Sequence, residues 1–305
     1  MQIYQPEEPK KKEKNSSSSR FFLPSAMNEE TPMWEKIVFF LLAIFGIQII
    51  SLFIGQILVH TPLYLPEKKA FSLRGSAILN DVTYLIAFSF FLLLIFLDKK
   101  KTPKRIIKGF QKKTTYAYAI IGFLAIFFLN QFFRLMYRHI SFYARNQNQT
   151  TVSDIVLDSP FFSFFAIVLF APFCEEMGYR VGLVDTIGHK PKFRLLGILL
   201  SGIIFGLIHF DFSSITQLLI ASSAGKNAEI LLELRYALYN ELLNLPLYIL
   251  PGIILAFLYA KTGEIATSIS AHLLNNLLSF ICILWADAIQ KPSSSVSQMI
   301  ALFLR

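Results

Sequence analysis

Two cysteines in 305 residues, Cys174 and Cys282, are too few for a disulfide framework. Each sits inside an apolar run without a second Cys at a metal-ligand spacing, so both read as buried thiols. Charge is scarce too. Asp, Glu, Lys and Arg make up 16% of the chain, against about a quarter in a soluble domain. The charges cluster and leave long apolar stretches between them, which excludes one large soluble core. A cleavable signal segment is not apparent. The first apolar run begins near Ile37, after a polar tail rich in Lys, Glu and Ser, and is too long for a signal h-region. There is no internal repeat.

What is present is apolar length. Hydrophobic residues are 54% of the chain and aromatics 15%. A helix needs about 20 apolar residues to cross the hydrocarbon. Segments near 37–59, 76–97, 115–137, 159–184, 194–211, 242–260 and 264–286 meet or approach that length. A shorter run, 212–225, reads equally as a partial span, a re-entrant piece or a continuation of its predecessor. The expected fold is all-α, a polytopic membrane helical bundle with about 7–8 transmembrane helices. Residues 1–33 read as a disordered cytoplasmic tail, 34–137 as N-terminal membrane helices and 288–305 as a C-terminal tail. In 226–244, Leu231, Leu234, Leu238 and Leu242 recur at helical spacing with Glu229, Glu233 and Glu241 between them, an amphipathic helix expected at the outer interface.

The net charge of +9 could point to nucleic acid, but its position points to topology. Segment 98–113 holds eight basic residues against Asp98, and 185–194 holds Lys190, Lys192 and Arg194 against Asp185. Segments 60–75 and 138–158 are nearly balanced, and 211–241 has more acids than bases. With a cytoplasmic N-terminus, every crossing obeys the positive-inside rule. The expectation is an integral, multi-pass protein of a bacterial cell membrane. Its partners are membrane lipids and a peptide or protein substrate at the membrane, with no nucleic acid.

An ionisable side chain inside a span costs several kcal/mol and demands a reason. Glu175, Glu176, Arg180, His209 and His272 stand out, accompanied by Asn275 and Asn276. Glu176 and Arg180 are one helical turn apart and share a face, where they can neutralise each other. Glu175 points about 100° away and is left to face something else. Phe205 and His209 share a face, as do His272 and Asn276. Counting from the turn near Pro191 and from Gly263 puts Glu175, His209 and His272 at similar depth, roughly 12–14 Å from the cytoplasmic boundary. Taken singly, each residue has a packing explanation. Three helices agreeing in depth make a site.

A carboxylate and an imidazole can share a water and take its proton, because burial disfavours the charged form of each and brings both toward general-base duty. A second His and an Asn amide can donate to a developing oxyanion. Together these make a peptide-bond hydrolase. Glu175, His209 and His272 are alternatively a plausible zinc set with one open position for water. The residues leave both mechanisms open.

These residues carry a resemblance. Glu175-Glu176-Met177-Gly178-Tyr179-Arg180 reads EExxxR, Phe205 to His209 reads FxxxH and His272 to Asn276 reads HxxxN. In this order and spacing they resemble the CPBP (CAAX prenyl protease/Abi, bacteriocin-processing) family of intramembrane proteases, over roughly 155–285, within a core read as 155–287. The resemblance implies a catalytic cavity open to the cytosol and the lipid. It implies that Glu175 and His209 activate water, that His272 and Asn276 form the oxyanion hole, and that Glu176, Arg180 and Phe205 support them. It also implies action on prenylated proteins, or links to bacteriocin maturation and immunity. Family members are often labelled metalloproteases, and a metal-free glutamate mechanism is also proposed for them. The chain departs from the usual pattern at Tyr179, at Gly182 and in a long insert around 211–241.

Two other classes compete. One is a proton-coupled transporter using Glu175 and the histidines, although such folds often carry repeats. The other is a non-catalytic immunity or scaffold protein on the same fold. No HExxH or GxSG is present, which disfavours site-2 and rhomboid proteases.

Overall fold

Apolar runs joined by short polar turns can satisfy their backbone in lipid only as helices. The computed structural model describes Phe22 and residues 31–97, 102–144 and 147–290. Most of the expected N-terminal tail, Lys99 to Lys101, and the C-terminal tail beyond Gln290 lie outside the described residues. The helices are α1 (Met33–Leu58), α2 (Leu73–Leu97), α3 (Thr102–Gln111), α4 (Lys113–Tyr137) and α5 (Gln147–Asp158). They continue as α6 (Pro160–Ile187), α7 (Arg194–Leu207), α8 (Ser213–Ser223), α9 (Ala228–Asn244), α10 (Pro246–Thr262) and α11 (Ile265–Gln290). A two-residue hairpin, β1 (Tyr64–Leu65) with β2 (Ala70–Phe71), is the one sheet among the described residues.

The chain is thus an all-α polytopic bundle. Among the described residues, six helical stretches are long and apolar enough to cross a membrane: 33–58, 73–97, 113–137, 160–187, 228–262 and 265–289. The count differs from the expected seven or eight at two places. The run 194–211 forms only a 14-residue helix, α7, about 21 Å long at 1.5 Å per residue. The run 212–225 forms the 11-residue α8, about 16 Å long, too short to cross. Another difference concerns Cys282, which is exposed while Cys174 is buried.

The antiparallel helices sort their ends. At one end lie the α2–α4 connection with α3, the α6–α7 turn and the α10–α11 turn, where Lys112 forms an ion pair with Glu264. This is the basic end. The far end holds the β-hairpin, α5, α8 and α9. Arg74 reaches Asp158 at 3.5 Å there, the Ala144 amide donates to Asn240 at 2.8 Å, and the Gln147 amide donates to Glu241 at 3.3 Å. The amphipathic α9 begins at Asn227, whose side-chain oxygen caps the Ile230 amide at 3.0 Å.

Small residues let the helices approach. Gly178 and Gly182, one turn apart on α6, face α1: a Cβ at Gly182 would lie 2.8 Å from the Phe40 backbone nitrogen. Gly182, one place off the family's usual position, is used here for that contact. Gly202 and Gly206 on α7 do the same against α10, where a Cβ at Gly206 would lie 2.9 Å from the Ile249 nitrogen and 3.0 Å from its Cα. Gly206→Val should lower stability by about 1–3 kcal/mol, since backbone cannot yield as a side chain can. A thermal melt in detergent checks this, and an unchanged midpoint would mean the helices are farther apart than described.

Candidate active site

Helix α6 sets the centre of the site, and its sequence explains its shape. Two wide π-helical turns, Phe164–Phe170 and Met177–Val184, flank Glu175 and Glu176. Such turns concentrate at functional sites. In the first, the Ala171 amide bonds Ala166, five residues back. In that register the Ile167 carbonyl would wait for residue 172, which is Pro172 and has no N–H. The Asn276 amide from α11 donates to that carbonyl at 3.0 Å. A proline on one helix therefore positions an asparagine on another.

Glu176 and Arg180 form the expected pair. Arg180 Nε donates to Glu176 Oε2 at 2.8 Å and Nη2 to Oε1 at 3.0 Å, with both side chains fully buried. Arg180 Nη1 donates to Ser201 Oγ at 2.7 Å, and Ser201 passes its own proton to the Tyr179 carbonyl at 3.0 Å. The guanidinium also lies 5.4 Å from the centroid of the Phe205 ring. The ring of Phe205 stands edge-on to Tyr179 and His272 at 5.5 and 5.8 Å and lies 4.9 Å from His209, so it is the packing hub of the site.

Glu175, His272, His209 and Asn276 line one cavity of about 720 Å³. His272 Nδ1 lies 3.0 Å from Glu176 Oε1, which accepts its proton, so Nε2 is turned to Glu175 Oε2 at 3.7 Å. His209 follows the last turn of α7. Its Nδ1 donates to the Phe205 carbonyl at 2.8 Å, leaving Nε2 as the acceptor nitrogen of the neutral ring. His272 therefore reaches toward Glu175 from α11, which runs directly beside α6.

The described residues do not fit the zinc alternative. Among them, no group of three His, Cys, Asp or Glu side chains could hold a metal ion.

Several site residues escape a search for charges in spans. Tyr84 on α2 donates to Glu175 Oε1 at 3.3 Å. Tyr248 on α10 stacks on His209 with centroids 4.7 Å apart and planes 12° off parallel. Asn80 and Asp81, one turn before Tyr84, were the available signal, for they interrupt an apolar run. Asp185 and Arg194, expected in a cytoplasmic loop, are instead buried: Arg194 donates to Asp185 at 2.7 Å, and the Tyr259 hydroxyl to the same carboxylate at 2.5 Å. This second buried pair closes the bundle below the Arg180 cluster.

Comparisons with known proteins converge on this region. Residues 157–278, which hold all three motifs, match the family model described as type II CAAX prenyl endopeptidase Rce1-like. The chain is 24% identical over 224 residues to "Putative membrane peptidase YdiL" of Bacillus subtilis (strain 168), covering 72% of this chain and 78% of that protein. No solved structure matches. Motif order, a helical membrane fold and both likenesses agree, and over this region the chain is similar to CAAX-type membrane peptidases.

Proposed function

We propose that the protein is an intramembrane endopeptidase that hydrolyses a peptide bond of a membrane-associated substrate, prenylated or bacteriocin-like, with water activated by Glu175 and His209. The observation that carries this reading is the meeting of Glu175 from α6, His272 and Asn276 from α11, and His209 from the turn after α7 on one cavity. A water accepted by the Glu175 carboxylate and by His209 Nε2 has both protons held and a lone pair directed at a substrate carbonyl. Glu175 takes one proton as the oxygen attacks carbon. The carbonyl π bond opens onto its oxygen, and the resulting tetrahedral centre carries the negative charge. His272 has Nδ1 on Glu176 and Nε2 turned toward Glu175, so in its protonated form it would offer an Nε2–H to that oxygen. Asn276 spends one amide proton on Ile167 and has a second to offer. When the tetrahedral centre collapses, the C–N bond breaks and Glu175 delivers its proton to the amine. No step requires a metal.

Proteomics of membrane fractions, wild type against Glu175→Ala, tests the proposal. Precursors should accumulate in the variant. Identical precursor levels with equal amounts of folded protein would remove the reading. His272→Ala and Asn276→Ala should each lower kcat by about 10²–10³-fold with little change in KM, the pattern of a lost transition-state donor. Steady-state kinetics on an identified substrate separate the two constants, and a pure KM effect would assign these residues to binding.

A further inference from the structure

We infer that Tyr84 is a positioning residue for the hydrolysis: its hydroxyl, donating to Glu175 Oε1, fixes the carboxylate so that Oε2 is the oxygen that takes and returns the proton. The chemistry in this statement rests on the peptidase reading above; the hold of Tyr84 on the carboxylate does not.

A glutamate carboxyl needs such a hold. Rotation about its last side-chain bond is broad and roughly twofold, so helix α6 fixes where the Glu175 side chain begins but not which oxygen faces the reaction. Two contacts divide the oxygens. The Tyr84 hydroxyl donates to Oε1 at 3.3 Å, and Oε2 is turned to His272 Nε2 at 3.7 Å. Tyr84, Glu175, His209 and His272 line the same cavity. A hydrogen bond to a carboxylate is charge-assisted and draws negative charge to the oxygen that accepts it. Oε2 is left the more basic oxygen, on the side of the imidazole that serves the oxyanion. The proton of water goes to Oε2 as the water oxygen attacks the carbonyl carbon. The same proton leaves with the amine when the C–N bond breaks. The phenol keeps its own proton throughout.

The donor is held in place by packing. Asn80, Tyr84 and Phe88 recur one turn apart on one face of α2. The Phe88 ring stacks on Phe170 with centroids 4.6 Å apart and stands edge-on to Phe173 at 5.0 Å. Phe170 and Phe173 precede Glu175 by five and two residues on α6, and Phe170 closes the first wide turn. The aromatic contact therefore holds the Tyr84 turn of α2 against the stretch of α6 that carries Glu175. A group fixed before substrate arrives lowers the barrier without reorganising during the reaction. Tyr84 lies outside residues 157–278, where the three motifs and the family match fall.

Tyr84→Phe, which keeps the ring and removes only the hydroxyl, tests this in the full chain reconstituted in lipid. The first readout is infrared. The carboxylate stretch of Glu175 is isolated by subtracting the spectrum of the corresponding Glu175→Gln protein, once in the wild-type background and once in Tyr84→Phe. The band should shift between the two backgrounds, and an unshifted band overturns the inference. This readout needs no turnover. The second readout is steady-state kinetics on a precursor that the wild type cleaves. Tyr84→Phe should lower kcat roughly 10–100-fold, the loss of one hydrogen bond to a charged group, with KM changed by no more than about twofold. The thermal midpoint in detergent should stay at the wild-type value. An unchanged kcat overturns the inference, and so does an effect confined to KM, which would place the hydroxyl on the substrate. Full cleavage by Glu175→Gln alone would count against the peptidase mechanism instead, so the two failures are read separately.

Discussion

Glu175→Gln should leave the protein folded in the membrane and lower peptide hydrolysis by on the order of 10⁴-fold, the upper end of what a positioned general base supplies. Gln keeps the size and the hydrogen bond from Tyr84, so the fold has little to notice. It cannot take a proton from water, nor return one to the leaving amine, and both steps pass through this atom in the proposed mechanism. A neutral amide also removes the carboxylate beside His272 Nε2, 3.7 Å away. Cleavage of a reconstituted precursor, with a detergent melt of the same preparation, measures the two effects together. Hydrolysis within tenfold of wild type, in a protein of wild-type stability, would remove Glu175 from the chemistry.

The second large effect concerns stability. Arg180→Met should destabilise the protein by about 3–5 kcal/mol, the range for breaking a buried ion pair from one side. Arg180 supplies two hydrogen bonds to Glu176 and one to Ser201, all inside a region from which water is excluded. Without it the Glu176 carboxylate keeps only His272. The double variant Glu176→Leu/Arg180→Met should recover much of the loss, because removing both charges costs far less than stranding one. Thermal and chemical denaturation of the single and double variants decide the matter. A single variant as stable as wild type would show that the pair carries no structural load.

The particular elements show what was legible before any coordinates. Local spacing put Glu176 and Arg180 on one face, and Phe205 with His209, because a helix repeats every 3.6 residues wherever it is placed. Counting from turns put three polar groups in one layer, because a helix in lipid rises by a constant amount per residue. Apolar length determined the bundle, since lipid offers the backbone no other hydrogen-bond partner. Tyr84 and Tyr248 were not legible. A tyrosine in an apolar span has the same local pattern whether it packs or meets a carboxylate, and only the neighbouring helix decides which.

By itself, then, the sequence determined a membrane-embedded helical chain with a peptidase motif set and a charge difference between its two ends. Tertiary structure alone decided that Pro172 hands a carbonyl to Asn276, that His272 turns one nitrogen to Glu176 and the other toward Glu175, and that Asp185 and Arg194 are sealed inside. These are facts about distances between segments far apart in the chain, set by how helices tilt and how closely glycines let them meet, and no local periodicity encodes them.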